Sequence, residues 1–339
     1  MEMETAVILG AGFSRVAGLP LTRNLFEMGE GLPRFQSATA ENSHREVFRA
    51  YQSWRQTHPD ANAEQWLREL YDFRDDGLQQ ISQGTTWSKA IRFALARLVD
   101  LPAGKNSHYY HGICTPFCDA VHRRFWDLVE IRFGVRVVVS LNYDILVEQA
   151  LHSGNTQHRS APRCYYGGFQ YVQVVRKMTD VTKKKFDLVQ LGNEVVLYKL
   201  HGSVNWAWEP HSSTLKIHDD VRAVFRKDDR FGTPAIIPPI PEKRMPPEFS
   251  QIWNEARLSL LKSSRWIVCG CSLPDYDQAL RSFFKGILSE KQQTVILVLS
   301  PESRTLVERW REISPEQVQV LAVPGLPEAL ELDWNYLGG

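Results

Sequence analysis

Five short groups of residues in this chain combine types suited to chemistry, and each follows an apolar run. They are Gly10-Ala11-Gly12-Phe13-Ser14, Asn142-Tyr143-Asp144, His201-Gly202-Ser203, Gly270-Cys271-Ser272 and Ser300-Pro301-Glu302. Glycines followed by a hydroxyl let backbone amides approach a phosphate. An imidazole such as His201 takes a proton from a hydroxyl or an attacking water near neutral pH. An asparagine such as Asn142 holds a water or a sugar hydroxyl as donor and acceptor together. Carboxylates such as Asp144 and Glu302 accept from amide or diol groups. Each group alone has an ordinary alternative: a satisfied surface histidine, a helix cap at Asn142 to Asp144, a turn serine at Ser272. Their joint occurrence is the signal.

The elements that must position them are strands. Thr5-Ala6-Val7-Ile8-Leu9 predicts a buried strand handing over to a helix N-terminus, where the helix dipole favours a pyrophosphate. Val135 to Leu141, Val195 to Leu200, Arg265 to Cys269 and Thr294 to Leu299 predict four more, and Val318 to Val323 a last one. With helices between them, these runs predict an α/β fold, a Rossmann-like parallel sheet with helices on both faces. In such a sheet the carboxyl ends of the strands share one edge and converge on one ligand. The loop departs from the dinucleotide fingerprint, reading Gly10-x-Gly12-x-x-Arg15. No second strand with a terminal acid follows the first helix, so hydride transfer is not indicated.

A chain of 339 residues accommodates one core domain with a large insertion. Helical periodicity runs from about 41 to 133 within an insertion spanning about 31–133. Asn62 with Gln65 predicts a capping box. The segment's aromatic residues, Trp54, Trp66, Tyr71, Trp87 and Trp126, predict subunit contacts, hence a homo-oligomer or a subunit of a larger complex. A hairpin is expected over about 169–191, with Tyr171, Val172, Val174 and Val175 facing Phe186, Leu188 and Leu191, and Lys183-Lys184-Lys185 at or near its turn. Past Trp206 and Trp208, a loose stretch with paired prolines at Pro238-Pro239 and Pro246-Pro247 is read before a helix over Phe249 to Leu261. Lys and Arg number 40 against 39 Asp and Glu, which gives no general reason for nucleic-acid or membrane attraction. Five cysteines at irregular spacing, a start unlike a signal peptide and no apolar stretch of membrane-spanning length predict a reduced, cytoplasmic protein. Cys114 and Cys118 read as two helix residues one turn apart, so no zinc is expected.

In this order, the five groups resemble the motifs of the sirtuin-type NAD-consuming family: a Gly-Ala-Gly-Ile/Phe-Ser loop, Asn-x-Asp, His-Gly, Gly-x-Ser and Asn-x-Glu, each after a strand. Ser300 stands where the family has asparagine, and Cys271 where it usually has threonine. The resemblance covers about 1–30, 135–150, 192–206 and 265–330 of one catalytic domain, 1–339, with smaller insertions at about 152–191 and 207–262. The zinc-binding Cys-x-x-Cys pairs of the deacylases are absent from the sequence. Of the deacylases' Gly-x-Pro-Asp-Phe-Arg, only Arg23 keeps its place in Gly18-Leu19-Pro20-Leu21-Thr22-Arg23. Gly18 to Thr22, Lys199-Leu200-His201-Gly202-Ser203 and Ser272-Leu273-Pro274-Asp275 are similar instead to bacterial sirtuin-like NAD hydrolases of anti-phage defence.

The resemblance implies NAD+ as substrate and cleavage of its nicotinamide–ribose bond to nicotinamide and ADP-ribose. Asn142 and His201 would be catalytic. Gly10, Ala11, Gly12, Phe13, Ser14, Arg23, Asp144, Gly270, Ser272 and Glu302 would bind NAD, with Asp144 at the nicotinamide carboxamide and Glu302 at the adenosine ribose. It further implies an abortive-infection effector switched on by self-assembly or by a separately encoded partner, either a ring-forming DNA-translocase-type ATPase or an Argonaute-type protein. NAD-dependent protein deacylation and a catalytically silent NAD or ADP-ribose sensor are the alternative functions.

Overall fold

The computed structural model describes residues 4–19, 21, 25–27, 42–73, 80–82, 85–99, 116–148, 164–167, 172–177, 180–184, 195–208, 215–218, 233–238, 246–275, 277–301 and 303–334. In chain order the first elements are β1 (Thr5–Leu9), α1 (Ala11–Arg15), α2 (Asn42–Thr57), α3 (Ala63–Phe73), β2 (Gln80–Ser82) and β3 (Thr85–Thr86). They are followed by α4 (Trp87–Val99), α5 (Pro116–Phe133), β4 (Val137–Ser140), β5 (Cys164–Tyr166), β6 (Val172–Lys177), β7 (Asp180–Lys184), β8 (Val195–Lys199) and β9 (Gly202–Trp208). The remainder comprises β10 (Leu215–His218), β11 (Thr233–Ile236), α6 (Pro247–Lys262), β12 (Arg265–Cys269), α7 (Gln278–Ser289), β13 (Thr294–Leu299), α8 (Ser303–Ile313) and β14 (Val318–Val323).

Seven strands form one sheet in the order β14-β13-β12-β1-β4-β8-β5, parallel at every pairing. Strand order reverses between β1 and β12, the switch point beside which open α/β sheets bind ligands. Unbroken apolar runs suit strands covered on both faces. Along β1, Ala6 and Ile8 pack against α6, α7 and α8, while Val7 and Leu9 face Phe125, Trp126 and Val129 of α5. Trp266 and Val268 of β12 alternate in the same way with Ile267 and Cys269. The expected Rossmann-like sheet is therefore present.

The helices α2, α3 and α4 build a core of their own around Phe26, Tyr51 and Trp66, and it closes on Tyr143, Val204 and Ile236 at the carboxyl edge of the sheet. The expected capping box forms: Asn62 Oδ1 accepts from the amides of Glu64 and Gln65, each at 3.0 Å, and Gln65 Oε1 accepts from the Asn62 amide at 2.8 Å. Trp66 and Trp126 are buried inside the chain, and Trp54 stacks on His58 while donating to Glu69. Trp66 and Trp126 therefore serve the core, while Trp54 is half-buried. The side chains of Tyr71 and Trp87 lie outside the described residues.

The hairpin differs from its expectation. The returning strand β7 pairs Val181 with Val175 and Asp180 with Lys177, so Lys183 and Lys184 lie in the strand. The supposed partners Phe186, Leu188 and Leu191 lie outside the described residues. The stretch past Trp208 is not wholly loose either: it carries β10 and β11, which join β9 in a five-stranded sheet, β11-β9-β10-β6-β7. Among the described residues no helix is long and apolar enough to cross a membrane.

Gly286 lies in the exposed part of α7, and a Cβ there would meet nothing within 4 Å. Gly286→Ala is expected to stabilise the protein by roughly 0.5–1 kcal/mol through lost backbone freedom in the unfolded chain. Denaturant midpoints at constant m-value measure it; an unchanged or lower midpoint contradicts it.

Candidate active site

The carboxyl ends of β1, β4, β8, β12 and β13 open into one cleft of about 980 Å³. Gly10, Asn142, His201, Ser272 and Ser300, one from each strand end, all line it. Residues far apart in sequence thus meet because their strands are parallel neighbours.

At the switch point two loops interlock through their backbones. The amide of Gly10 donates to the Cys269 carbonyl at 3.0 Å, and that of Gly12 to the Gly270 carbonyl at 3.1 Å. Gly270 itself has φ +66, and a Cβ on it would stand 2.3 Å from the Phe13 nitrogen. A Cβ on Gly12 would come within 2.7 Å of Gly270 Cα. The Phe13 amide donates to the Gly10 carbonyl at 3.0 Å. The amides of Gly10, Gly12 and Phe13 are therefore committed to the fold, and in this form of the loop they do not offer themselves to a phosphate.

The side chains above the loop form a closed relay. Asn142 Nδ2 donates to the Gly10 carbonyl and to Ser14 Oγ, both at 2.9 Å. Ser14 Oγ donates to Asp144 Oδ2 at 2.6 Å, and Asp144 Oδ1 accepts from the Leu146 amide at 3.0 Å. This assigns duties that the residue types left open. Asn142 has spent both amide hydrogens, so it presents only its carbonyl oxygen to a ligand. Ser14 and Asp144, both buried, orient Asn142 and start the next helix, where binding of pyrophosphate and carboxamide was expected of them. Tyr143 anchors the same loop, its hydroxyl donating to the Ile237 carbonyl at 2.7 Å.

His201 is 6% exposed, its ring 6.1 Å from that of Trp253 and 6.4 Å from that of Tyr143. Trp253 is pinned by donating from Nε1 to the Leu200 carbonyl at 2.8 Å. Across the cleft, Arg309 donates to the Ser272 carbonyl at 3.2 Å. Arg15 and Arg309 bring cationic groups to the cleft wall, whereas Asn62 and Glu64 of the α3 start reach it from the helical segment. The sequence reading missed all four. Arg15 entered it only as the departure from the third glycine of the loop, and the Asn62 capping box placed the α3 start without saying what it faced.

Phe13 is fully buried, its ring 4.7 Å from that of His122 and 5.5 Å from that of Phe125, so its side chain belongs to the core and not to the cleft. Ala11 and Gly270 line the cleft. Arg23 and Glu302 lie outside the described residues, as does Cys114. Burial pushes the thiols of Cys269 and Cys271 up to about 12, which makes them inert packing groups. No group of three or more His, Cys, Asp or Glu side chains suited to a metal ion occurs among the described residues.

A family profile described as a SIR2-like domain matches residues 136–316, more than half of the chain and starting beyond the glycine loop. No curated protein matches the sequence. Among solved structures, SIR2 bound to the inhibitor EX-527, 2'-O-acetyl-ADP-ribose and a deacetylated p53 peptide aligns at 14% identity, covering 97% of this chain and 90% of that one, with a TM-score of 0.39. A SIR2 homologue in complex with NAD aligns at 14% identity over 94% of this chain and 84% of that one, with a TM-score of 0.41.

Proposed function

Because the chain belongs to the family of SIR2-like domains, we propose that it consumes NAD+, hydrolysing the nicotinamide–ribose bond to nicotinamide and ADP-ribose. The observation that carries this reading is the meeting of Asn142 and His201 in one cleft beside the strand-order switch. The nicotinamide of NAD+ leaves as a neutral base from a cationic state, so the reaction needs positioning and stabilisation of an oxocarbenium-like centre more than a strong acid. Water forms the new bond at the ribose carbon, the glycosidic pair passes to the ring nitrogen, and His201 takes the proton and returns it to solvent. The Asn142 carbonyl oxygen orients the water or a ribose hydroxyl.

Similarity of Gly18 to Thr22, Lys199 to Ser203 and Ser272 to Asp275 to the defence hydrolases supports a role as the NAD-depleting effector of a bacterial anti-phage system. Such an effector stays silent until self-assembly, a DNA-translocase-type ATPase or an Argonaute-type partner activates it. The reading is tested by following nicotinamide and ADP-ribose from NAD+ with no acylated peptide present, and by measuring cellular NAD+ during infection. Binding without cleavage in the fully activated protein would replace it with the sensor reading. Release that requires an acylated peptide would replace it with deacylation.

With three loop amides committed elsewhere, Arg309, which lines the cleft and donates to the Ser272 carbonyl, is assigned a share of the pyrophosphate charge. Arg309→Gln is expected to weaken NAD+ binding by about 10–100-fold, the range for a hydrogen bond to a charged group. Calorimetry reads it, and an unchanged affinity removes Arg309 from the contact.

A further inference from the structure

Lys199 ends β8 two residues before His201, and its side chain is fully buried. Its Nζ donates to the main-chain carbonyl of Asp144 and lies 3.4 Å from Glu148 Oε1. Glu148 Oε1 also accepts from the Tyr166 hydroxyl at 2.9 Å, which in turn accepts from Asn205 Nδ2 at 3.1 Å. Burial pushes the Glu148 carboxyl up from its usual range, and the Lys199 ammonium opposes that push.

A buried ion pair is a poor way to stabilise a fold, because apolar residues of the same volume are commonly as good or better. What an apolar residue cannot do is hold a carbonyl. The Asp144 carbonyl belongs to the loop whose side chains run from Asp144 through Ser14 to Asn142. Lys199 grips that loop from beneath, and its own backbone continues directly into His201. We propose that Lys199, with Glu148 as its counter-charge, is a positioning residue that fixes the Asn142 loop of β4 relative to His201 of β8. The inference rests on the reading of the cleft given above.

Two double variants of the full chain separate positioning from charge neutralisation. Lys199→Met with Glu148→Leu removes both charges and the donor; Lys199→Gln with Glu148→Gln removes both charges and keeps a donor for the Asp144 carbonyl. Both are expected to unfold at denaturant midpoints near that of the wild type. In the Met/Leu variant kcat for nicotinamide release should fall about a hundredfold, the cost of a small misplacement, with KM for NAD+ nearly kept. The Gln/Gln variant should recover most of that loss. Equal turnover in the two variants would overturn the proposal. If the Met/Leu protein does not fold, the Gln/Gln protein decides, since a hundredfold loss despite an intact donor contradicts positioning through the carbonyl. Hydrogen exchange over 142–148 is the readout independent of activity: exchange should quicken in the Met/Leu variant and stay near wild type in the Gln/Gln variant. If the wild type cleaves no NAD+ under any condition, the functional reading fails alone, and exchange still decides whether Lys199 holds the loop.

Discussion

His201→Gln is expected to lower nicotinamide release by about 10²–10⁴-fold, the usual loss when a positioned general base is removed, while NAD+ affinity is largely kept. The substitution retains much of the side chain's volume between Trp253 and Tyr143, so packing changes little. It takes away the group that accepts a proton as the glycosidic bond breaks. Chromatography of nicotinamide beside calorimetric binding measures the two effects separately, and full activity in His201→Gln would eliminate the mechanism. Asn142→Ala is a less clean probe than residue type suggests. It deletes two buried hydrogen bonds, to the Gly10 carbonyl and to Ser14 Oγ, and should cost stability and loop geometry as well as rate. Its activity loss is therefore interpretable only alongside a denaturation curve.

The difference between these two residues marks what the sequence could and could not carry. Strands such as Thr5–Leu9 and Thr294–Leu299 were legible because burial on both faces writes them as uninterrupted apolar runs. The parallel order then brings their polar ends to one edge, so the membership of the cleft followed from local pattern plus topology. The second sheet was illegible for the converse reason. Gly202–Trp208 mixes glycine, serine, asparagine and tryptophan yet is buried almost throughout, so no alternation announces it. Its partner Thr233–Ile236 carries a proline. The returning hairpin strand has only Val181 as an apolar residue among Asp180–Lys184, so the apolar residues farther on drew the register to the wrong place.

Within the cleft, residue types indicated which groups could act but not how their hydrogen bonds were already spent. That Ser14 serves Asp144, and that Lys199 holds the Asp144 carbonyl, depends on chain segments brought together only by folding. The helical segment shows the same limit. Its aromatic stripes were plain, but that Phe26, Tyr51 and Trp66 pack on one another depends on helices brought together only by folding.

The glycines of the first loop offer the sharpest test of this point, since the same residues serve two different physical accounts. If they exist to admit a phosphate, Gly10→Ala should fold normally and lose only ligand affinity. The geometry predicts otherwise. A Cβ on Gly10 would lie 2.4 Å from the Gly270 carbonyl oxygen and 2.6 Å from Cys271 Cα, both main-chain atoms of the turn that follows β12, where the Gly270 carbonyl already accepts from the Gly12 amide. Relief requires the turns that follow β1 and β12 to part, where Gly10 also donates to the Cys269 carbonyl. Gly10→Ala is therefore expected to destabilise the protein by roughly 3–5 kcal/mol, at the upper end of single substitutions, with or without NAD+ present. Gly18→Ala is the matched control. Gly10 is extended, with φ −117, whereas Gly18 is left-handed, with φ +82, and a Cβ there meets nothing within 4 Å, so only backbone strain of about 1–2 kcal/mol is incurred. Denaturant unfolding of the two variants side by side reads the difference. Wild-type stability in Gly10→Ala, with NAD+ binding alone impaired, would assign the glycine to the ligand and not to the interlock of the two strands.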